Sequence, residues 1–140
     1  MALAIAAALE TANQQEQTSN SNESSENNSG ERVAFGQKRI SANFSNGTAI
    51  TAVAASIAAG ERPPVEVTRF HGQLSAVNNR TLAAYGIAGI RPTNLIETDF
   101  HDLPGEVQAR FYESNVPNFL IPVTAGKMDM TPIMQIPAPP

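Results

Sequence analysis

The feature that most restricts what this chain can fold into is a polar tract over residues 11–30. It consists almost entirely of Thr, Asn, Gln, Ser and Glu, with no aliphatic side chain larger than Ala12 and no aromatic one. Such a segment cannot bury enough apolar surface to offset the entropy lost on ordering, so we predict a disordered linker. The apolar residues 2–9 before it span only about two helical turns and predict a helical stub. Residues 1–30 are therefore expected to lie outside the folded domain.

Composition excludes several kinds of site. The chain of 140 residues contains no cysteine, which rules out disulfides, thiolate catalysis and Cys-ligated metals, and it contains only two histidines, His71 and His101. Nine basic and thirteen acidic residues give a net charge of −4. That balance argues against coating nucleic acid by bulk charge. No stretch is long enough to cross a bilayer as a helix, so we expect no stable membrane insertion.

The charge is distributed unevenly. Residues 32–91 carry seven basic and two acidic side chains, whereas residues 92–140 carry two basic and six acidic ones. The middle of the chain is therefore basic, which would suit a phosphate-bearing ligand.

Residues 31–123 predict one small α+β domain with three short helices. The expected order is an extended piece, a helix, a β-hairpin, a helix, a strand and a helix, placed at 32–45, 48–59, 65–70 with 73–77, 80–88, 94–98 and 104–114. His71-Gly72 connects the hairpin. Six prolines after Asn115 rule out a long regular element, so residues 124–140 are predicted to form a Pro-rich tail.

The most informative stretch lies where the second hairpin strand runs into a helix. Asn78, Asn79 and Arg80 occupy this junction. Free backbone N–H groups at a helix start attract anions, and an arginine there adds a bidentate donor. The pattern predicts a phosphate-binding turn. The alternative is an ordinary Asn cap followed by a solvated arginine.

Two segments carry a family resemblance. Val77-Asn-Asn-Arg-Thr-Leu-Ala-Ala-Tyr-Gly-Ile-Ala-Gly89 resembles the core motif of the ParB/sulfiredoxin superfamily, in which a strand enters an Arg-containing turn and then a helix. Arg39-Ile-Ser-Ala-Asn-Phe-Ser-Asn-Gly47 is similar to the opening box of a divergent ParB-like branch. That branch supplies C-terminal toxin domains of bacterial polymorphic toxins. The resemblance covers about residues 36–100 and implies a ParB/sulfiredoxin-like fold with a mixed sheet.

The resemblance implies a function and partners. It suggests the toxin domain of a secreted or cell-surface-delivered antibacterial protein, of the contact-dependent inhibition type or a related one, acting in the cytoplasm of a target bacterium. An immunity protein would be its partner, and a nuclease cleaving DNA or RNA phosphodiesters is the activity expected. The alternative is a nucleotide-triphosphate hydrolase, or a nucleotide-binding module without nuclease activity. Whether the domain is an enzyme stays open at this point.

The residues and the resemblance together give a set of candidates. We expect Arg80, Asn79, Arg39 and His71 to be catalytic, and Asn78, Lys38 and Asn43 to join Asn79, Arg80 and Arg39 around phosphate. In the superfamily an early arginine joins the turn arginine, so Arg39 and Arg80 are expected to share one anion pocket. The alternative for Lys38 and Arg39 is two solvated charges at a strand edge.

The remaining candidates are weaker. His71 could act as a general acid–base, or it could be an exposed turn residue. His101-Asp102 could be a base with its orienting carboxylate, or part of a loop. Glu97 and Asp99, which would lie on one face of a strand, could hold a divalent ion beside a phosphate. Mg²⁺ is the one cofactor that the sequence suggests, and no residue is assigned as a metal ligand.

Overall fold

A computed structural model describes residues 31–126 and 130–140, so the predicted stub and linker at residues 1–30 lie outside the described residues. Within them the chain forms seven strands, three α-helices and one 3₁₀ turn. Their order is β1 (Ala34–Phe35), β2 (Ile40–Ser41), α1 (Ile50–Ala58), β3 (Val65–Phe70), β4 (Gln73–Ala76), α2 (Asn79–Ala88), β5 (Leu95–Glu97), the 3₁₀ turn (Phe100–Asp102), α3 (Gly105–Arg110), β6 (Leu120–Thr124) and β7 (Pro132–Pro137). The small α+β domain predicted from the sequence is confirmed.

The first sheet has the strand order β1-β4-β3-β5. The predicted hairpin forms its centre, with β3 and β4 antiparallel in a register that sets Val67 opposite Ala76. The outer strands β1 and β5 each run parallel to their neighbour, so the sheet is mixed. His71 and Gly72 both adopt positive φ angles, 50° and 81°, as a two-residue hairpin turn requires.

The second sheet corrects the predicted Pro-rich tail. Its order is β2-β6-β7, with β2 parallel to β6 and β6 antiparallel to β7. Prolines Pro132 and Pro137 stand at the two ends of β7, an edge strand, where a missing N–H does little harm. Residues 130–140 therefore belong to the domain, which does not end at residue 123.

A single main core joins the two sheets and the helices α1 and α2. Its largest fully buried side chains include Tyr85, Phe35, Ile57 and Leu82, and Ile136 of β7 contributes to the same core. Helix α2 ends at Gly89, which has a left-handed φ of 70° as predicted for a helix stop. The Arg32 guanidinium donates to the carbonyls of Ala138 (2.7 Å) and Pro139 (3.1 Å), which ties the last residues to the first strand.

A smaller aromatic core lies apart from the main one. It is built from Phe70, Phe100 and Phe111. Helix α3 contains no fully buried residue, and it ends at Arg110 rather than at the predicted Ser114. Asn115 adopts a left-handed φ of 64° and Pro117 follows, and neither conformation continues an α-helix.

Gly36 marks a close approach between the β1–β2 connection and the end of β4. A Cβ atom at this position would overlap the carbonyl oxygen of Ala76 and the ring of Phe111. Only glycine lets the β1–β2 connection pass this close to the end of β4. The connection is thereby held against the start of α2. Among the described residues, no helix is both long and apolar enough to span a membrane.

Candidate phosphate-binding site

The candidate site lies at the junction between β4 and α2, where the sequence predicted a phosphate-binding turn. Asn78 is the N-cap residue of α2, but its side chain makes no capping bond to the helix. Its amide instead accepts from the backbone N–H of Glu66 (2.8 Å) and donates to the carbonyl of Pro64 (3.1 Å). Asn78 therefore does not form the predicted cap, and its side chain does not cover the start of α2.

Asn79 serves the fold around the site. It is buried, with 3% of its surface exposed. Its Oδ1 accepts from the backbone N–H of Gly36 (2.6 Å), and its Nδ2 donates to the carbonyl of Val77 (3.2 Å). The amide predicted to contact phosphate thus holds the β1–β2 connection against the helix start.

Arg80 reaches from α2 to the second sheet. Its Nη2 donates to Oγ of Ser41 (3.0 Å), and the Ser41 hydroxyl in turn donates to the carbonyl of Asn43 (3.1 Å). The Nε of Arg80 is buried and has no hydrogen-bond partner among the described residues.

These residues surround a cavity of about 170 Å³, several times the roughly 30 Å³ share of one water molecule. It contains two arginines, Arg80 and Arg110, and among the described residues that line it none is acidic. The lining residues are Gln37, Phe44, Val77, Asn78, Asn79, Arg80, Thr81 and Arg110. Two cationic side chains beside a helix start would favour an anion over a cation in this cavity. We refer to it below as the α2 cavity.

Arg39 and Lys38 lie elsewhere, contrary to the expected single pocket. Both line a different cavity of about 450 Å³, together with residues of the segment 115–122. The cause is the pairing of β2 with β6, which brings residues 38–39 beside that segment. Asn43, another predicted phosphate ligand, is exposed and does not line the α2 cavity.

Two lining residues escaped the sequence analysis. Arg110 stands in α3 and Gln37 in the β1–β2 connection, 30 and 43 residues from Arg80 respectively. No local pattern marks either of them. They reach the cavity only because the chain packs α3 and the β1–β2 connection around the start of α2.

His71 is also separate from Arg80. It lines a third cavity, of about 260 Å³, together with His101. Asp99 accepts from the backbone N–H of His101 (3.0 Å) and so caps the 3₁₀ turn. Over residues 31–126 and 130–140, no group of three or more His, Asp or Glu side chains could hold a metal ion, so Glu97 and Asp99 gain no third ligand of these types.

An ion pair stands beside this third cavity. Arg69 donates to both carboxylate oxygens of Glu31, at 2.9 and 3.1 Å. The hydrogen bond from Arg69 is the main reason that the pKa of Glu31 lies below its ordinary value of 4.5, against an opposing effect of burial. Arg69 also donates to the carbonyl of Gly72 (3.2 Å), which fixes the hairpin turn.

The fold and the site together define a small α+β domain with a basic cavity at a strand-to-helix junction. Comparison of the chain with protein-family models, with curated proteins and with solved structures gives no match.

Proposed function

We propose that the domain binds a phosphate group of a nucleotide or nucleic acid in the α2 cavity. The observation that carries this proposal is the pairing of Arg80 and Arg110 in one cavity with no acidic lining residue among those described. Two arginines repel each other unless an anion lies between them.

The α2 cavity supports binding more directly than cleavage. Its described lining consists of arginines, amides, one threonine and apolar residues, and it includes neither a histidine nor a carboxylate. General acid–base chemistry on a phosphodiester needs a group that exchanges a proton. We therefore assign this cavity to recognition of the phosphate. A nuclease would have to draw its proton-transfer groups from outside it.

The biological role that we propose follows the resemblance of residues 39–47 and 77–89. The domain would act as the toxin of a delivered antibacterial protein, with an immunity protein as partner. The nuclease form and the form that only binds a nucleotide both remain candidates, and the makeup of the α2 cavity favours the second for this site.

Calorimetric titration with pyrophosphate tests the binding proposal. Arg80→Ala should weaken binding by about 1.5–3 kcal/mol, the range for a charged hydrogen bond, which is a loss of roughly 10- to 150-fold. Arg80→Lys should fail to restore it, because lysine lacks the planar fork. Arg110→Ala should weaken it as well.

Arg91→Ala is the matched control. This arginine makes one 3.3 Å bond to the carbonyl of Glu31 and does not line the α2 cavity, so binding should persist. Equal affinity in wild type and Arg80→Ala would refute the assignment of the site.

Growth of a sensitive bacterium tests the proposed role. Expression of the chain without an inhibitor should arrest growth, and Arg80→Ala should relieve the arrest. Harmless expression of the soluble wild-type protein at high level would contradict a toxin function without touching the binding proposal.

A further inference from the structure

The two histidines, 30 positions apart in the chain, meet at one cavity. The cavity measures about 260 Å³ and combines imidazoles with aromatic rings and one cation; it is lined by Arg69, Phe70, His71, Phe100, His101 and Tyr112. We call it the histidine cavity. It shares no lining residue with the α2 cavity.

Each histidine is held by its local backbone. His71 occupies the first position of the tight turn between β3 and β4, where its φ is 50°. Arg69 holds this turn through the carbonyl of Gly72 and is itself anchored by Glu31. His101 lies in the 3₁₀ turn that the Asp99 side chain caps. Both positions are therefore fixed by hydrogen bonds that do not use the imidazole rings.

The imidazoles rest on two adjoining phenylalanine rings. The His71 ring stacks on Phe70 with centroids 4.0 Å apart, and the His101 ring meets Phe100 edge-on at 5.7 Å. Phe70 and Phe100 lie 5.0 Å apart in the small aromatic core. Both histidines are nevertheless exposed, so a substrate can reach them from solvent.

Tyr112 adds a surface for a nucleobase. Its side chain is 68% exposed, although its ring contacts Phe70 edge-on at 5.2 Å. Exposed aromatic rings are a platform on which unpaired bases stack. The histidine cavity thus places a stacking surface for a base beside two imidazoles.

We propose that the histidine cavity is a catalytic centre that cleaves RNA by transesterification. One imidazole accepts the proton of the ribose 2′-hydroxyl while O2′ bonds to phosphorus. The other imidazole, in its protonated form, donates its proton to O5′ while the phosphorus–O5′ bond breaks. The products are a 2′,3′-cyclic phosphate and a 5′-hydroxyl, and no water or further reactant is consumed.

The substrate class follows from this chemistry. RNA carries its own nucleophile next to the phosphate, so two proton-transfer groups are enough. DNA has no 2′-hydroxyl and cannot undergo this reaction. The inference rests on the proposed function for the phosphate-bearing class of substrate, but it assigns the reaction to different residues.

A chimeric oligonucleotide tests the proposal on the full chain. The substrate is a DNA strand with a single ribonucleotide, and the same strand with a 2′-O-methyl group is the control. In the presence of EDTA, cleavage should occur only after the ribonucleotide, and mass spectrometry should show the cyclic phosphate. His71→Ala and His101→Ala should each lower the rate by about 100-fold or more, as expected for loss of a general acid or base.

Glu106→Gln, which changes an exposed residue of α3 outside the cavity, should retain the rate. Thermal unfolding verifies that the histidine variants fold. Cleavage of the 2′-O-methyl strand, or a rate that survives either histidine substitution, would overturn the proposal.

The two proposals can fail separately. Wild type that binds pyrophosphate but leaves the ribonucleotide strand intact refutes the catalytic centre and keeps the α2 cavity. If cleavage depends on the histidines but Arg80→Ala leaves the pyrophosphate affinity unchanged, the α2 cavity is refuted and the catalytic centre is kept.

Discussion

The backbone N–H of Gly36 donates a 2.6 Å hydrogen bond to the side-chain oxygen of Asn79, which stands 43 residues later at the start of α2. Both groups are buried. This bond fixes the β1–β2 connection against the helix that carries Arg80, and so it sets one wall of the α2 cavity. Asn79 thereby acts on the site through the position of the backbone.

Substitution of Asn79 should separate its structural contribution from the charge of the cavity. Asn79→Ala leaves the Gly36 N–H buried without an acceptor, which should cost about 1–3 kcal/mol of unfolding free energy. Asn79→Asp keeps an acceptor but adds a negative charge beside Arg80, so it should weaken pyrophosphate binding more than it lowers stability. Urea unfolding and calorimetric titration measure the two effects. An alanine variant as stable as wild type would refute the role given to this bond.

Gly36→Ala should destabilise the domain by about 1–3 kcal/mol or more, because the new methyl group overlaps the Ala76 carbonyl and the Phe111 ring. Gly105→Ala is the matched control. Its Cβ would meet no atom within 4 Å, and alanine favours helix over glycine. Thermal unfolding of the pair should show a lowered midpoint only for position 36, and equal midpoints would contradict the close approach.

Ile136→Ala tests whether the C-terminal strand belongs to the core. Ile136 is buried, so its truncation should cost about 2–5 kcal/mol, whereas Ile133 on the same strand is 57% exposed and its truncation should be nearly neutral. Chemical denaturation of both variants gives the comparison. Similar small effects at the two positions would mean that β7 does not pack as described.

The Glu31–Arg69 pair should contribute stability at neutral pH and lose it in acid. The pKa of Glu31 is lowered in the folded protein, so its contribution is present above the unfolded pKa and disappears as the pH falls through the folded one. Glu31→Gln should cost up to about 1 kcal/mol at pH 7, a value typical of exposed pairs. Below the ordinary Glu value of 4.5 the difference should shrink.

Glu113→Gln controls for the loss of one exposed carboxylate. Denaturation of the three proteins across pH 2–8 (roughly the span needed to cross a carboxylate titration) provides the measurement. A difference between wild type and Glu31→Gln that grows on acidification would contradict the ion pair.

The sequence predicted the hairpin and its turn because both signals are local. The alternation of apolar and polar residues predicts each strand, and the His71-Gly72 pair predicts the turn between them. The sequence did not predict β7, because six prolines after Asn115 argue against a long regular element. Pro132 and Pro137 occupy the ends of an edge strand, and Pro122 precedes the two residues of β6 that pair with β2. The harm done by a proline depends on the neighbouring strand, which local sequence does not reveal.

The candidate site could likewise be predicted only where its residues are neighbours in sequence. Arg80 could be found because the strand, turn and helix around it are contiguous in sequence. Arg110 could not, since only tertiary packing brings α3 to the start of α2. The position of Arg39 depends on a similar long-range contact, because β2 pairs with β6, in which Val123 lies 83 positions after its partner Ile40. Site residues that lie close together in sequence could be predicted. Site residues that only tertiary packing brings together could not.

The bonds from Arg32 to the carbonyls of Ala138 and Pro139 hold the residues before β1 against those that follow β7. During synthesis Arg32 leaves the ribosome well before Ala138 and Pro139. The core site of Ile136 stays unfilled, and β6 lacks its antiparallel partner, until the C-terminal residues leave the exit tunnel. The domain therefore completes its fold only after residue 138 has left the exit tunnel, and a nascent chain stalled before β7 presents an open sheet edge to chaperones and proteases.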